Sequence, residues 1–350
     1  MAYTTVNKSS DYQNTVLYTG NGATKAVTGV GFQPDLVWIK NRSAALDHQV
    51  FDVTRGVTYK ISPNTNTEQT QQSASFTAFG ADGFTVDNYD PTNQLDEAFA
   101  SWNWKAGTTS GIAGSPNTTP TAYSFNATAG FSIIKYVGNG ANTTLPHGLG
   151  VAPKMIICKE LDNTGSWVTY HEGLGNTKAV FLDTTQVPAV DATYWQDTTP
   201  TSTLFSLGSN GNLNQDTVNY IAYCFAEIPG YSKFGTYTGN NNADGPFIYT
   251  GFKPTFVITK SYTTAEGWIM QDNKRKYDVL TAVTGNPKGY PLYVNGTNVW
   301  YANTYAQTDL LSNGFKLRVS HGQINGTASF IYMAFGQTLV GTNNIPATAR

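Results

Sequence analysis

The sequence predicts an all-β protein made of three tandem β-sandwich-like domains, of jelly-roll or lectin-like kind, related by internal repetition. Three observations carry this. A ten-residue stretch occurs three times: Gly31-Phe32-Gln33-Pro34-Asp35-Leu36-Val37-Trp38-Ile39-Lys40, Gly150-Val151-Ala152-Pro153-Lys154-Met155-Ile156-Ile157-Cys158-Lys159 and Gly251-Phe252-Lys253-Pro254-Thr255-Phe256-Val257-Ile258-Thr259-Lys260. Each copy is followed, 70, 72 and 81 positions after its proline, by the last aromatic of a closing apolar strand, at Trp104, Phe225 and Phe335. The composition, with 34 Gly, 15 Pro and 13% aromatic residues, is that of short strands joined by many turns.

The repeated stretch explains itself physically. Proline fixes its φ and has no N–H, so it suits the start of a strand. The run after it is apolar at odd and even positions alike, which predicts a strand covered on both faces. The glycines Gly31, Gly150 and Gly251 allow a tight approach into that strand. Ahead of each anchor lies Tyr18-Thr19-Gly20-Asn21-Gly22, Tyr136-Val137-Gly138-Asn139-Gly140 or Tyr237-Thr238-Gly239-Asn240, with 16 or 17 positions from tyrosine to proline. A strand, a Gly-Asn turn and a second strand read as a hairpin or wider arch. Behind each anchor comes a looser region holding Trp167 in the second repeat and Trp268 in the third, with Phe51-Asp52 near the matching place in the first.

The boundaries follow: a β-domain over 1–107, a linker over 108–122, β-domains over 123–230 and 231–338, and an irregular arm over 339–350. The segment GTTSGIAGSPNTTPT has no periodicity and predicts a flexible connection on which the first domain swings. Pro229-Gly230 is much tighter and predicts a nearly rigid second and third pair.

Charged residues are 13% of the chain, about half the usual share. The net charge of -2 gives no basic field, so nucleic acid is not an expected partner. No secretory leader and no apolar run of about 20 residues is visible, so neither secretion by that route nor membrane insertion is expected. Cys158 and Cys224 fall in strands of the second repeat, open to a disulfide or to two buried thiols. Without Cys-x-x-Cys or clustered His, no zinc site is expected.

Candidate chemistry is sparse. Lys40, Lys159 and Lys260 end their strands, where a lysine can reach water or a carboxylate; they and the Gly31/Pro34, Gly150/Pro153 and Gly251/Pro254 pairs read as structural anchors. The acidic run Asp87-Asn88-Tyr89-Asp90 with Asp96-Glu97 matches no calcium-loop spacing and reads as a solvated loop. His48, His147, His171 and His321 are scattered and read as surface residues, although His171-Glu172 beside Trp167 and Tyr170 could form a sugar-contacting corner. No nucleophile elbow, phosphate loop or carboxylate pair stands out, so no catalytic residue, cofactor or metal is expected and the chain is not expected to be an enzyme. Trp195, Trp300, Tyr301 and Tyr305 lie in variable regions beside Asn and Thr, as rings that contact ligands do, and as core or subunit-interface rings do.

At these residues a resemblance appears. GVGFQPDLVWIKNRS near residue 30, the Phe51-Asp52-Val53-Thr54-Arg55-Gly56 piece, the opening MAYTTVNKSSDYQNTVLYTGNG and the ending YMAFGQTLVGTNNIPATAR resemble virion structural, tail-fibre-like proteins of marine bacteriophages. The second and third repeats lack the Phe-Asp-x-x-Arg-Gly piece as written. The resemblance implies a surface component of the particle, assembled in the host cytoplasm. That would be a tail fibre or receptor-binding protein touching other virion proteins and a host glycan or protein, with homotrimers favoured. The alternatives are a capsid decoration or head-fibre protein, and a lectin or glycan-degrading tail protein.

Overall fold

The computed structural model describes residues 4–275, 291–298 and 308–338. Strands hold 43% of the residues and helices 7%, so the fold is all-β. No described helix is long and apolar enough to cross a membrane.

Each repeat builds one antiparallel sheet with the same arrangement. In the first, the leading strand Gln13–Thr19 pairs with the closing strand Ala98–Trp104, which pairs with the anchor strand Leu36–Asn41, and that with Gln49–Asp52. In the second the order is Phe131–Val137, Asn219–Ala226, Pro153–Glu160 and Val168–His171, extended by Ala122–Asn126 on one side and by Lys178–Phe181 and Ala189–Val190 on the other. In the third it is Ser232–Thr238, Ser329–Thr338, Phe252–Ser261 and Trp268–Asp272, with Leu292–Tyr293 at the edge. We call the parts of the chain around these sheets lobes 1, 2 and 3.

The prolines occupy matching places. Pro34 precedes its strand, while Pro153 and Pro254 each sit beside a register shift in the pairing with the closing strand. The irregularity falls where a missing N–H would otherwise break the ladder. Lobe 3 departs slightly from expectation, since its strand already begins at Phe252. Gly31, Gly150 and Gly251 all have φ between +73° and +89°, which favours glycine.

Both faces of each anchor strand are covered, and alternation decides by what. Val37 and Ile39 point to an outer core with Val27, Phe76, Phe84 and Val86 from a smaller sheet of lobe 1. Ile156 and Cys158 do the same with Leu145, Phe205 and Leu207 in lobe 2, and Val257 with Ile248, Leu310, Phe315 and Leu317 in lobe 3. The opposite faces do not stop at lobe boundaries. Leu36, Trp38, Met155, Ile157, Phe256 and Ile258 join one cluster together with alternate residues of all three closing strands. At its centre Trp104, Phe225 and Phe335 meet pairwise, with ring centroids 6.3, 6.0 and 6.0 Å apart.

The shared core corrects the expected swinging of the first repeat. The connecting segment is held as well. Ala106 N and Ser124 Oγ donate to the buried Asp35 carboxylate, Gly107 N to Ser124 Oγ, and Thr118 N and Thr121 N to the Thr144 and Lys135 carbonyls. Near the N-terminus, Ser9 N and Oγ donate to Gln337 Oε1 of the last described strand. The arm over 339–350 lies outside the described residues.

A common core makes the lobes interdependent. Unfolding in urea or heat should occur as one transition, which Trp104→Ala lowers by about 3–5 kcal/mol, the range for buried aromatic truncation. A fragment of residues 123–230, with Ile133, Met155 and Phe225 stripped of their cover, should give no cooperative transition. A separate transition for each lobe would refute the shared core.

Candidate functional site

The polar side chains concentrate where lobes meet and at one turn within each lobe. The turn is built from the Gly-Asn motif. Gly20, Gly138 and Gly239 pass so close to a short helix that a Cβ there would lie 2.0–2.1 Å from the carbonyl oxygen of Gln94, Gln215 or Gly326. The helix supplies Asn93, Asn214 and Asn325, all buried. Each accepts through Oδ1 from the N–H of Asn21, Asn139 or Asn240 and donates through Nδ2 to the same residue's side chain and to a nearby carbonyl. The motif tyrosines donate to the same helices: Tyr18 Oη to Thr92 O, Tyr136 to Leu213 O and Tyr237 to Ile324 O. These asparagines went unread in the sequence, although each stands 10 or 11 positions before the closing aromatic.

Between lobes the bonds run in one rotational sense. Lys40 Nζ donates to Thr297 O of lobe 3 (3.0 Å), Lys159 to Asn66 O of lobe 1 (3.4 Å) and Lys260 to Thr185 O of lobe 2 (3.1 Å). Each lysine also donates to a carbonyl of its own lobe, from Leu46, Glu160 and Glu266. All three are fully buried, and burial lowers each ammonium to about 8. They therefore reach neither water nor a carboxylate, as their place at a strand end had suggested. Carbonyls of the neighbouring lobe take that role.

Beside each lysine stands a ring that follows the same rotation. Trp167 Nε1 donates to Ser62 O and Thr65 O of lobe 1, and Trp268 Nε1 to Phe181 O of lobe 2. In lobe 1 the corresponding residue is His48, three before Phe51. Its Nδ1 accepts from Trp38 Nε1, so Nε2 carries the proton and donates to Tyr293 O of lobe 3.

A third set lies beneath. The Asp52 carboxylate holds Arg55 Nε within its own lobe and accepts Tyr223 Oη from lobe 2 at 2.7 Å. Burial would raise Asp52, but Arg55, Thr54 and Tyr223 outweigh it and hold the carboxyl below its usual value. Asp272 and Arg275 repeat the pair in lobe 3, where Asp272 accepts Trp102 Nε1 of lobe 1 at 3.0 Å and Arg275 lies over the Trp102 ring. The Asp-x-x-Arg core of the lobe 1 piece thus recurs in lobe 3, against the reading that later repeats lack it. The flanking Phe and Gly and the two central residues differ. In lobe 2 the place is taken by His171, whose Nδ1 accepts from Gly173 N and whose Nε2 donates to Tyr332 O of lobe 3.

Three of the four histidines are therefore buried, correcting their reading as surface groups: His48, His147 and His171. Burial pushes His48 down and brings His147 and His171 to about 4. His171 faces Phe234 and the lobe 3 backbone, which removes it from any sugar-contacting corner. Trp195 is 2% exposed and packs edge-on against Tyr170, 5.7 Å between centroids, so it is a core ring and not an exposed contact. Trp300, Tyr301 and Tyr305 lie outside the described residues. Cys158 and Cys224 are buried free thiols, and burial raises both. Among the described residues no group of three or more His, Cys, Asp or Glu is placed to hold a metal.

The chain belongs to a family described as a domain of unknown function (DUF7483), which matches residues 8–338. The match spans all three lobes, so the family's unit is the closed body and not the single repeat. No curated protein and no solved structure matches the chain.

Two outcomes test the polar frame. Arg55→Met leaves the Asp52 carboxylate buried without its counter-charge and should cost about 3–5 kcal/mol in unfolding free energy. Asn214→Ala should cost about 2–3 kcal/mol by orphaning buried backbone groups. The histidines set a pH dependence. Below about 6.5 the unfolded chain binds protons that the folded chain refuses, so their contribution is complete above that pH. Stability should fall as the pH drops from 6.5 towards 4, and exchanging both His147 and His171 for Gln should flatten that slope.

Proposed function

We propose that this DUF7483 member is a structural protein on the surface of a bacteriophage particle, acting in host attachment as a tail-fibre or receptor-binding component. The resemblance of its anchor, opening and closing sequences to marine phage virion proteins motivates the reading. The observation that carries it is the shared core. Three lobes, which we read as sandwich-like and of jelly-roll or lectin-like kind, close around Trp104, Phe225 and Phe335, and their buried ionic groups hold neighbours together. This suits a load-bearing body that works by contact and not by catalysis.

The capsid decoration reading is favoured by one particular feature. A fibre gains a threefold core by bringing three chains together, whereas here one chain supplies all three contributors. We therefore place the decoration or head-fibre role second, with the monomer as its building block. A lectin or glycan-degrading tail protein stands third.

Particle cryo-EM of a phage encoding the chain should place three-lobed density on the tail or the capsid surface, and native mass spectrometry of the isolated protein should separate trimer from monomer. A monomer would remove the trimeric fibre. Absence of the chain from purified particles would remove the virion reading altogether.

A further inference from the structure

Lobe 3 differs from the other two along one outer edge. Each lobe covers its anchor strand with a small outer sheet, whose first strand is Lys25–Thr28, Thr143–Pro146 or Phe247–Tyr249. Val27, Leu145 and Ile248 point into the outer core, each opposite a phenylalanine, Phe84, Phe205 or Phe315. Alternation puts the residues on either side of them on the opposite face. Those are Ala26 and Thr28 in lobe 1 and Thr144 and Pro146 in lobe 2, but Phe247 and Tyr249 in lobe 3, which are 44% and 60% exposed.

The same strand ends its sheet, in the order Phe247–Tyr249, Gly314–Leu317, Thr308–Leu311. Pro246 O accepts from Leu317 N and Thr250 N donates to Asn313 O, so Pro246, Ile248 and Thr250 turn their backbone groups towards the neighbouring strand. The N–H and C=O of Phe247 and Tyr249 therefore face the open edge. Among the described residues nothing bonds to them there. Lobe 2 shows what such an edge accepts. Beside Thr144, the counterpart of Phe247, the connecting segment runs along the strand, with Thr118 N donating to Thr144 O at 3.1 Å and Asn117 N to Thr144 Oγ1 at 3.0 Å. The tight Pro229-Gly230 junction supplies no such segment to lobe 3.

The edge is complementary to itself. Two copies related by a twofold axis between their Ile248 residues place Phe247 of each opposite Tyr249 of the other. That register pairs the outward N–H and C=O of both residues in both copies, and sets the rings side by side across the strands, about 5 Å apart at Cβ. Within the lobe the rings lack cover. Gly314 stands opposite Tyr249, and the Phe247 ring passes so near it that a Cβ there would lie 2.7 Å from the ring. Charge does not oppose the meeting of two such faces. The acids and bases around the strand cancel within the lobe, Asp244 against Lys316 and Asp309 against Arg318. A twofold pairing also uses up the edge of both copies, so the assembly closes at two.

We propose that the chain binds a second copy of itself through Phe247–Tyr249, the two small sheets of lobe 3 joining into one antiparallel sheet across a twofold axis. The inference stands on this edge alone and is separate from the particle reading. A three-residue strand and its rings offer less than the ~1,200–2,000 Å² of a standard stable interface, so the association should be weak and follow concentration. Sedimentation velocity of the full chain over a wide range of concentration should show a reversible monomer–dimer equilibrium. Phe247→Thr together with Tyr249→Thr, which gives this edge the kind of residue found in lobes 1 and 2, should weaken it at least tenfold at an unchanged melting temperature. The register is read separately. Phe247→Lys and Tyr249→Glu should each weaken self-association, and the two variants mixed should associate more tightly than either alone, because the twofold register sets the new lysine opposite the new glutamate. A monomer at every concentration would overturn the proposal and leave the edge to a strand of another protein. Association that survives the double threonine variant, or no gain on mixing the charged variants, would overturn it equally.

Discussion

Everything in this molecule depends on the inner faces of three sheets having nowhere to go but against each other. Each anchor strand carries apolar side chains on both faces, and a small sheet of its own lobe covers one of them. The second face, with Trp104, Phe225 or Phe335 at its tip, would otherwise lie open to water. Burying an aromatic ring of this size is worth about 2–3 kcal/mol, and each lobe presents several such residues. Against a typical net stability of ~5–15 kcal/mol for a folded domain, an uncovered face would decide the matter. Closure into a ring of three is the arrangement in which every inner face serves as cover for the other two.

That closure dictates the polar chemistry of the junctions. Once the inner faces are dry, any backbone carbonyl left at the edge of a neighbouring lobe needs a donor. The strand-end lysines and the rings of His48, Trp167 and Trp268 supply one each, always to the same neighbour in the rotation. The bonds are aimed at neutral acceptors, and a lysine in that position pays for it with a depressed proton affinity. The Asp–Arg pairs add direction: an apolar seam can slide, but Asp52 accepting Tyr223 and Asp272 accepting Trp102 set one register between lobes.

The repeats, the covered anchor strands, the structural lysines and prolines and the all-β class were legible because each rests on local pattern. Alternation of apolar residues on both faces of Leu36–Asn41 announces double cover without saying by what. Read as three sandwiches in series, with the first free to swing and the second and third a nearly rigid pair, the repeats give no sign of one core common to all three. The partner of the inner face lies more than a hundred residues away, and no local period encodes it. Burial of His48 was hidden for the same reason, since a histidine looks the same in sequence whether its neighbour in space is water or another lobe. Asp272 and Arg275 escaped because the motif was read through its flanking Phe and Gly, while the chemistry resides in the acid and the base. The polar segment over 107–121 looked flexible by composition, but its backbone is pinned by partners such as Ser124 and Thr144 that lie outside it.

Three lobes on one chain also permit what three identical chains would not. In a homotrimer each junction must repeat the others. Here the ring beside the lysine is histidine in one lobe and tryptophan in two, and the group beneath is an Asp–Arg pair in two lobes and His171 in the third. The connections differ as well, one long and one tight. The core holds the three lobes alike and the loops are free to diverge, so a surface feature can arise once without being imposed on the other two positions. Covalent joining of the lobes thus keeps the threefold packing that stabilises the body and releases its exterior from threefold symmetry.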